Sequence, residues 1–106
     1  MSSNPEHAAD QQPQEVWLMP VFTPEPGREA ELRGALLDLQ RTSRLDHGCI
    51  EYSVYAVDGR FVLIEGWDSR TDLQKHNEQG HVRDFVALCS DLLAEPFTVT
   101  PMTPLV

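Results

Sequence analysis

The hydrophobic residues of this chain change their spacing several times, and each change marks the boundary of a predicted element. Residues 16–23, VWLMPVFT, form one apolar run, which indicates a buried strand. Pro20 lies within this run, and because proline has no N–H to donate, we expect a bulge or an unpaired N–H side there. After Pro26 and Gly27 the apolar residues recur at helical spacing, which predicts a helix that fades near Ser43. The residues with that spacing are Leu32, Ala35, Leu36 and Leu39.

Two further apolar runs form a predicted β-hairpin. Cys49–Val57 and Arg60–Asp68 each have the composition of a strand, and only Asp58 and Gly59 separate them. A two-residue Asp-Gly loop is a strong signal for a type I′ turn, because that turn requires positive φ at both positions. The length of the loop then determines which residues face one another across the hairpin.

The register predicted from this turn divides the side chains between two faces. Tyr52 lies opposite Glu65, and Ile50 lies opposite Trp67, on the face that we expect the helices to cover. The other face is also apolar in its middle, and we expect a second copy of the chain to cover it. The apolar residues of this open face are Tyr55, Val57, Val62 and Ile64.

A second helical region follows the hairpin. Ser69 is placed to cap its start, and Gly80 is expected to break or kink it. We expect Pro96 to end the helix and Phe97–Thr100 to form a last short strand. The apolar residues in the second half of the helix are Phe85, Leu88, Cys89 and Leu92.

The predicted order of elements is β-α-β-β-α-β, with the second helix broken. This order is typical of an α+β, ferredoxin-like domain, in which a four-stranded antiparallel sheet carries its helices on one face. Residues 1–14 are polar, with too few apolar groups to build a core, so they are predicted to be a disordered tail. A chain of 106 residues then leaves one domain, over residues 15–106.

Composition narrows the function classes. Eight Lys and Arg against 17 Asp and Glu give a net charge of −9, which counts against nucleic acid or an anionic membrane surface as a partner. No apolar run approaches the roughly 18 residues of a membrane span, and the first residues lack the pattern of a secretory signal. Cys49 and Cys89 lie in apolar runs without a CxxC pair, which favours a reducing, cytoplasmic location.

Three polar side chains are candidates for chemistry. Glu65 falls on the face toward the helices, where a carboxylate is costly unless it is paired or protonated; an ordinary position near solvent is the alternative. His76 and His81 lie five positions apart, which is not the spacing of a helical metal motif and brings no third ligand into register, so no metal site is predicted. Each histidine is either a general acid–base group or an ordinary surface residue.

Other chemistry finds little support in the sequence. Tyr52 and Trp67 are either core residues or pocket walls, since each carries a polar group on an apolar ring. Neither cysteine has a neighbouring base for nucleophilic work. The six glycines are scattered without a phosphate-binding motif, so neither a nucleotide nor a flavin is expected and no cofactor is predicted.

Four short motifs, in this order, resemble those of the antibiotic biosynthesis monooxygenase family, most closely its quinol monooxygenase branch. They are PGREAEL after the first strand, HGCxxY, EGWDS and HNExxHxxxF, and the resemblance covers about residues 16–104. It implies a ferredoxin-like domain that pairs through its sheet into a dimeric α/β barrel, with a pocket between the sheet and the helices. The pocket residues that the resemblance implies are Tyr52, Glu65, Trp67, His76, His81 and Phe85.

The resemblance further implies a homodimeric monooxygenase that oxidises a quinol or another phenol with O2 and without a cofactor. His76 would act as the base, and Glu65 would orient it or take a proton, so replacing either should affect turnover more than folding. Two alternatives stay open. One is an isomerase that uses the same acid–base pair without O2, and the other is a non-catalytic dimer that binds a small molecule.

Overall fold

A computed structural model describes residues 14–105, and its elements follow the predicted order. Of the tail predicted at residues 1–14, all but Gln14 lies outside the described residues. Over residues 14–105, no helix is long and apolar enough to cross a membrane. The elements in chain order are β1 (Val16–Phe22), α1 (Glu29–Ser43), β2 (Cys49–Val57), β3 (Arg60–Trp67), α2 (Arg70–Asn77), α3 (Gly80–Leu92) and β4 (Thr98–Met102).

The strands form one antiparallel sheet in the order β2-β3-β1-β4. Helices α1 and α3 pack side by side against one face of this sheet, and their apolar residues meet those of the strands in a single core. This is the ferredoxin-like α+β fold that the sequence predicts. Because β1 and β3 occupy the centre, the exposed backbone edges of the sheet belong to β2 and β4.

The hairpin has the predicted turn. Asp58 and Gly59 have φ angles of +50° and +77°, as a type I′ turn requires. The pairing matches the predicted register from the turn as far as the Tyr52–Glu65 pair. The sequence therefore places the carboxylate of Glu65 beside the ring of Tyr52 correctly.

The far end of the hairpin differs from the prediction. A β-bulge at the start of β2 pairs Cys49 with Trp67, so the predicted pairing of Ile50 with Trp67 is wrong. The extra residue shifts the alternation by one position. Cys49 consequently packs against the core, while Ile50 is 40% exposed.

Both prolines in the sheet keep the strand register intact. The β1–β3 register is the same on either side of Pro20, so no bulge forms, and the pairing is only interrupted at Met19 and Pro20. On its other side Pro20 faces Val99 of β4. The last strand extends two residues further than predicted and includes Pro101, which is tolerated because β4 lies at the edge of the sheet.

The helix boundaries are partly as predicted. The break at Gly80 is confirmed, since α2 ends at Asn77 and α3 begins at Gly80. Helix α1, in contrast, begins at Glu29 instead of at Pro26 and Gly27. Gly27 has a φ of +88°, and this left-handed conformation belongs to a turn that precedes the helix.

The end of α3 is set by a contact with a distant part of the chain. The helix ends at Leu92, four residues before the predicted stop at Pro96. The N–H of Ala94 donates a 2.9 Å hydrogen bond to the carbonyl oxygen of Thr23, just after β1. The backbone therefore leaves the helix to pair with the β1–α1 connection, and the helix ends before it reaches Pro96.

The core lies between the helices and the covered face of the sheet. Trp67, Leu32, Leu36 and Leu63 are its largest fully buried apolar side chains. The open face is different: Tyr55 is 53% exposed and Val57 is also about half exposed. The sheet therefore presents an apolar surface on this face, and none of the elements within residues 14–105 covers it.

Candidate active site

A cavity of about 370 Å³ lies between the covered face of the sheet and the helices, within the size range of small-molecule sites. The apolar residues that line it are Leu18, Pro20, Phe22, Leu39, Leu63, Val82, Phe85, Val86, Phe97 and Val99. The polar residues that line it are Tyr52, Glu65, His76 and Asn77. A mainly apolar wall with a few polar groups suits a compact ligand that has an apolar body and one or two polar substituents.

Glu65 is a buried carboxyl group at the sheet wall of this cavity. It is 6% exposed, and the indole Nε1–H of Trp67 donates a 2.8 Å hydrogen bond to its Oε1. Burial raises the pKa of Glu65 above its usual 4.5, and the hydrogen bond from Trp67 offsets only part of that effect. Glu65 is thus a group that holds a proton more strongly than an exposed glutamate does.

The raised pKa of Glu65 predicts a pH-dependent stability difference. The folded state binds the Glu65 proton more tightly than the unfolded state, so the wild type loses stability as the pH rises from about 4.5 through the raised pKa. Glu65→Gln lacks this loss, and its stability relative to the wild type should increase with pH. Urea unfolding of both proteins at about pH 4 and about pH 8 measures the difference. Glu78→Gln, at an exposed position, is the matched control. An equal difference at both pH values would contradict the prediction.

Tyr52 lies next to Glu65 and shares its burial. Burial is the main cause that raises the pKa of Tyr52, and the nearby charge of Glu65 adds to it. Its phenol therefore stays protonated and can donate a hydrogen bond. On the edge of the sheet, Arg44 Nε donates a 2.8 Å hydrogen bond to the carbonyl oxygen of Tyr52, which ties the end of α1 to β2.

His76 reaches the same cavity from α2. The residue is only 2% exposed, and its ring packs against Trp67 with a centroid distance of 4.4 Å and an interplanar angle of 32°. The ring of Tyr52 meets it edge-on at 5.3 Å. Burial lowers the pKa of His76 below its usual 6.5, although the hydrogen bond and charge of Asp46 partly offset this. His76 is therefore mainly neutral near pH 7, as a general base must be.

Asp46 is the partner that holds His76 in place. Its Oδ2 accepts a hydrogen bond from Nδ1 of His76 at 2.7 Å. This contact leaves Nε2 as the ring nitrogen that is free to meet a ligand. Glu65 makes its hydrogen bond to Trp67, and none to His76 is present in the described structure.

The loop that carries Asp46 is held against the start of α2. Gly48 has a φ of +81°, and a Cβ atom at this position would overlap the side-chain carboxylate of Asp72. Only glycine therefore permits this close approach. Ser69 caps α2 as predicted, since its hydroxyl accepts a 3.1 Å hydrogen bond from the backbone N–H of Asp72. The N–H of Asp68 donates to the carbonyl oxygen of Gly48 at 2.8 Å.

His81 binds the same carboxylate oxygen from the other side. Its Nε2 lies 2.8 Å from Oδ2 of Asp46. The structure thus supplies, from a loop, the third ligand atom that the helical spacing of the two histidines lacks. The three atoms lie within 4.8 Å of one another, a set that a divalent cation could also use.

The structure brings together only part of the predicted pocket set. Tyr52, Glu65, His76 and Phe85 line the cavity. Trp67 is fully buried behind Glu65 and His76 and supports both of them without lining the cavity itself.

The positions of two residues, His81 and Asp46, could not be predicted from their spacing in the sequence. His81 lies outside the cavity wall and lines a separate shallow depression between α1 and α3. Asp46 was missed altogether, although an acidic residue in the Asp46-His47-Gly48 loop, just before a strand, was a visible signal. Nothing in the sequence indicates that this loop returns to the second helical region.

Comparison with known proteins defines the class. The sequence model of the family described as antibiotic biosynthesis monooxygenase matches residues 16–88, which is more than half of the chain. The chain therefore belongs to the antibiotic biosynthesis monooxygenase family, as the four motifs indicate.

Individual relatives cover nearly the whole domain. Rv0793 of Mycobacterium tuberculosis, named as a candidate monooxygenase, is 38% identical over 93 residues, which are 85% of this chain and 91% of that protein. The solved structure of Rv0793 matches with a TM-score of 0.83 at 30% identity and covers 88% of this chain and 97% of that chain.

A more distant structure shows the fold alone. PA3566 of Pseudomonas aeruginosa matches with a TM-score of 0.81 at 24% identity, over 88% of this chain and 96% of that chain. The four-stranded sheet with its covering helices is therefore shared by two proteins whose aligned residues mostly differ.

Proposed function

We propose that this protein is a cofactor-independent monooxygenase that oxidises a hydroquinone or another electron-rich phenol with O2. The observation that carries the proposal is the position of His76. It is a buried, mainly neutral histidine, its Nδ1 is bound by Asp46, and it lines an apolar cavity that Glu65 also lines. A base in an apolar site can deprotonate a phenol, and the resulting anion is electron-rich enough to reduce O2.

The balanced reaction for a hydroquinone gives a hydroxyquinone and water. His76 Nε2 removes a hydroxyl proton, and the anion reduces O2 and forms a carbon–oxygen bond to it, which yields a ring peroxide after protonation. Loss of the ring proton at that carbon then breaks the O–O bond. One oxygen atom stays in the product as a carbonyl, and the other leaves as water with the two hydrogens that the substrate loses.

The other polar groups of the cavity have roles that fit their protonation. Glu65 has a raised pKa and supplies a proton to the peroxide or to the departing oxygen. Tyr52 keeps its proton and donates a hydrogen bond to a substrate oxygen. Donors that are already aligned in a water-poor cavity stabilise developing negative charge more than they would in water.

The charge of the cavity indicates the substrate class. Neither Lys nor Arg is among the residues, all within 14–105, that line the cavity, and Glu65 adds an acidic group. A phosphorylated or carboxylated substrate would find no cationic partner there. This supports an uncharged phenol, and no comparable observation favours an isomerase of a charged metabolite.

The working unit in this proposal is a homodimer in a reducing, cytoplasmic setting. The open face exposes Tyr55 and Val57 of β2, and Val62 and Ile64 lie beside them on β3, the other strand of the same hairpin. A second copy that covers this face would form the dimeric barrel of the family. Cys49 and Cys89 are both free, in keeping with a reducing compartment.

Oxygen uptake with a panel of uncharged hydroquinones tests the function. Uptake should exceed the uncatalysed rate and match the substrate consumed one to one, and one atom of ¹⁸O from labelled O2 should enter the product. Turnover should rise with pH through the lowered pKa of His76, below 6.5. It should fall again as Glu65 loses its proton, and Glu65→Gln should remove that upper limb.

Each alternative gives a different result in the same assay. Substrate conversion that continues without O2 would indicate an isomerase. Saturable binding of hydroquinones without conversion would indicate a non-catalytic binding dimer. Either outcome, or uptake no faster than the protein-free control for every substrate, contradicts the proposed function.

A further inference from the structure

The loop residue Asp46 joins two histidines through a single oxygen atom. Its Oδ2 lies 2.7 Å from Nδ1 of His76 and 2.8 Å from Nε2 of His81. Both distances are those of charge-assisted hydrogen bonds. For both rings to donate while neutral, His76 must carry its proton on Nδ1 and His81 must carry its proton on Nε2.

We propose that Asp46 is the positioning residue of the site: it holds the His76 ring so that Nε2 meets the substrate, and His81 anchors the Asp46 carboxylate from the solvent side. This inference rests on the proposed function for its catalytic meaning. The arrangement is the logic of a nucleophile or base that is oriented by a third group. The carboxylate fixes one tautomer and also stabilises the imidazolium that forms when Nε2 takes a proton.

The burial of the three residues supports this division of roles. His76 is buried, whereas Asp46 and His81 are each partly exposed. His81 lies beside the outer depression lined by Ala35 and Phe85, away from the wall of the main cavity. It therefore touches the carboxylate without reaching the substrate. The local backbone agrees, because Gly48 allows the loop to sit against Asp72 at the start of α2.

Glu65 does not compete for the orienting role. Its hydrogen bond is to Trp67. Because its pKa is raised, Glu65 retains its proton more readily than an exposed glutamate, so it suits the role of a proton donor and not that of a negatively charged partner for a histidine. The two carboxyl groups thus have separate tasks. Asp46 orients the base from behind, and Glu65 faces the reacting molecule.

Asp46→Asn tests the proposal through the tautomer of His76. Long-range ¹H–¹⁵N spectra of the full-length wild type at about pH 8 should show His76 with its proton on Nδ1, and Asp46→Asn should give a mixture of tautomers, because an amide can donate as well as accept. With the hydroquinone that the wild type oxidises best, kcat should fall on the order of 10²-fold with little change in KM. The acidic limb of the pH profile should move lower, because the Asp46 charge raises the pKa of His76 while His81 lowers it.

Asp84→Asn is the matched control. It removes the same charge from an exposed position on α3 that also borders the depression next to His81. It should leave the tautomer and kcat unchanged. His81→Gln, which can still donate to Asp46, should retain the His76 tautomer, whereas His81→Leu should loosen it.

The two proposals fail in distinguishable ways. If the wild type oxidises no hydroquinone, the proposed function fails, while the tautomer measurement still decides the role of Asp46. If Asp46→Asn keeps the His76 tautomer, the positioning role is overturned whatever the activity. Titration with Zn²⁺ is the last test. If Zn²⁺ binds stoichiometrically, displaces the Nδ1 proton of His76 and is required for turnover, the three residues form a metal site instead of a hydrogen-bonded arrangement. That result would also overturn the positioning role of Asp46.

Discussion

Turnover of a hydroquinone should fall by about 10²- to 10⁴-fold when His76 is replaced by glutamine, because the variant lacks the base that removes the hydroxyl proton. Glutamine is close to histidine in length, and its amide can still donate a hydrogen bond to Asp46. The loss should therefore appear in kcat, while the melting temperature changes little. Oxygen uptake and thermal unfolding of the same preparation measure the two quantities.

The choice of glutamine follows from the burial of His76. The expectation from the sequence, that replacing His76 affects turnover more than folding, does not suit an alanine variant. The ring is 2% exposed and packs against Trp67, so alanine would leave a cavity and a cost of about 2–5 kcal/mol, typical of large-to-small changes in cores. His47→Gln is the matched control because His47 is exposed. Wild-type turnover in His76→Gln would remove His76 from the mechanism.

Val62→Glu should convert the protein from a dimer to a monomer. Val62 lies in the middle of the open face, paired with Tyr55 across the hairpin and with Val21 on β1. A glutamate there would be buried without a partner when two sheets pack together, whereas in a monomer it would reach water. Sedimentation velocity at micromolar concentration should show one dimeric species for the wild type and a monomer for the variant.

A control variant distinguishes a charge on the open face from the general effect of adding a negative charge to the surface. Leu37→Glu places the same group on the exposed side of α1, away from the open face, and should remain dimeric. A monomeric wild type, or a Val62→Glu variant that stays dimeric, would show that another surface or none joins the copies. Circular dichroism of both variants verifies that each is folded.

The hairpin shows how far local sequence information reaches. Asp58 and Gly59 require a tight turn, and the alternation that follows places Tyr52 against Glu65 as observed. The predicted strand register therefore still holds six residues away from the turn on each strand. It fails only at Ile50, where a bulge inserts one residue, because nothing in the local apolar pattern distinguishes Cys49 from Ile50 as the inward-facing residue.

The candidate site shows where that information stops. The sequence indicated Glu65 and His76 through their positions on apolar faces, and both line the cavity. It paired them with each other, yet the hydrogen-bond partners are Trp67 and Asp46. Glu65 and Trp67 are two positions apart on one face of a strand, so that pair was within reach of the pattern. Asp46 and His76 are thirty positions apart, and only the path of the loop brings them together.

The sequence by itself determined the order of the elements, the turn of the hairpin, the face on which Glu65 lies and the family. These properties follow from spacing among near neighbours, because backbone conformation and side-chain alternation repeat over a few residues. The tertiary structure alone decided the bulge at Ile50, the early end of α3, the exclusion of Trp67 and His81 from the cavity wall and the bond from His76 to Asp46. Each of these depends on which distant segments pack together, as when the positive φ of Gly48 lets its loop settle against Asp72.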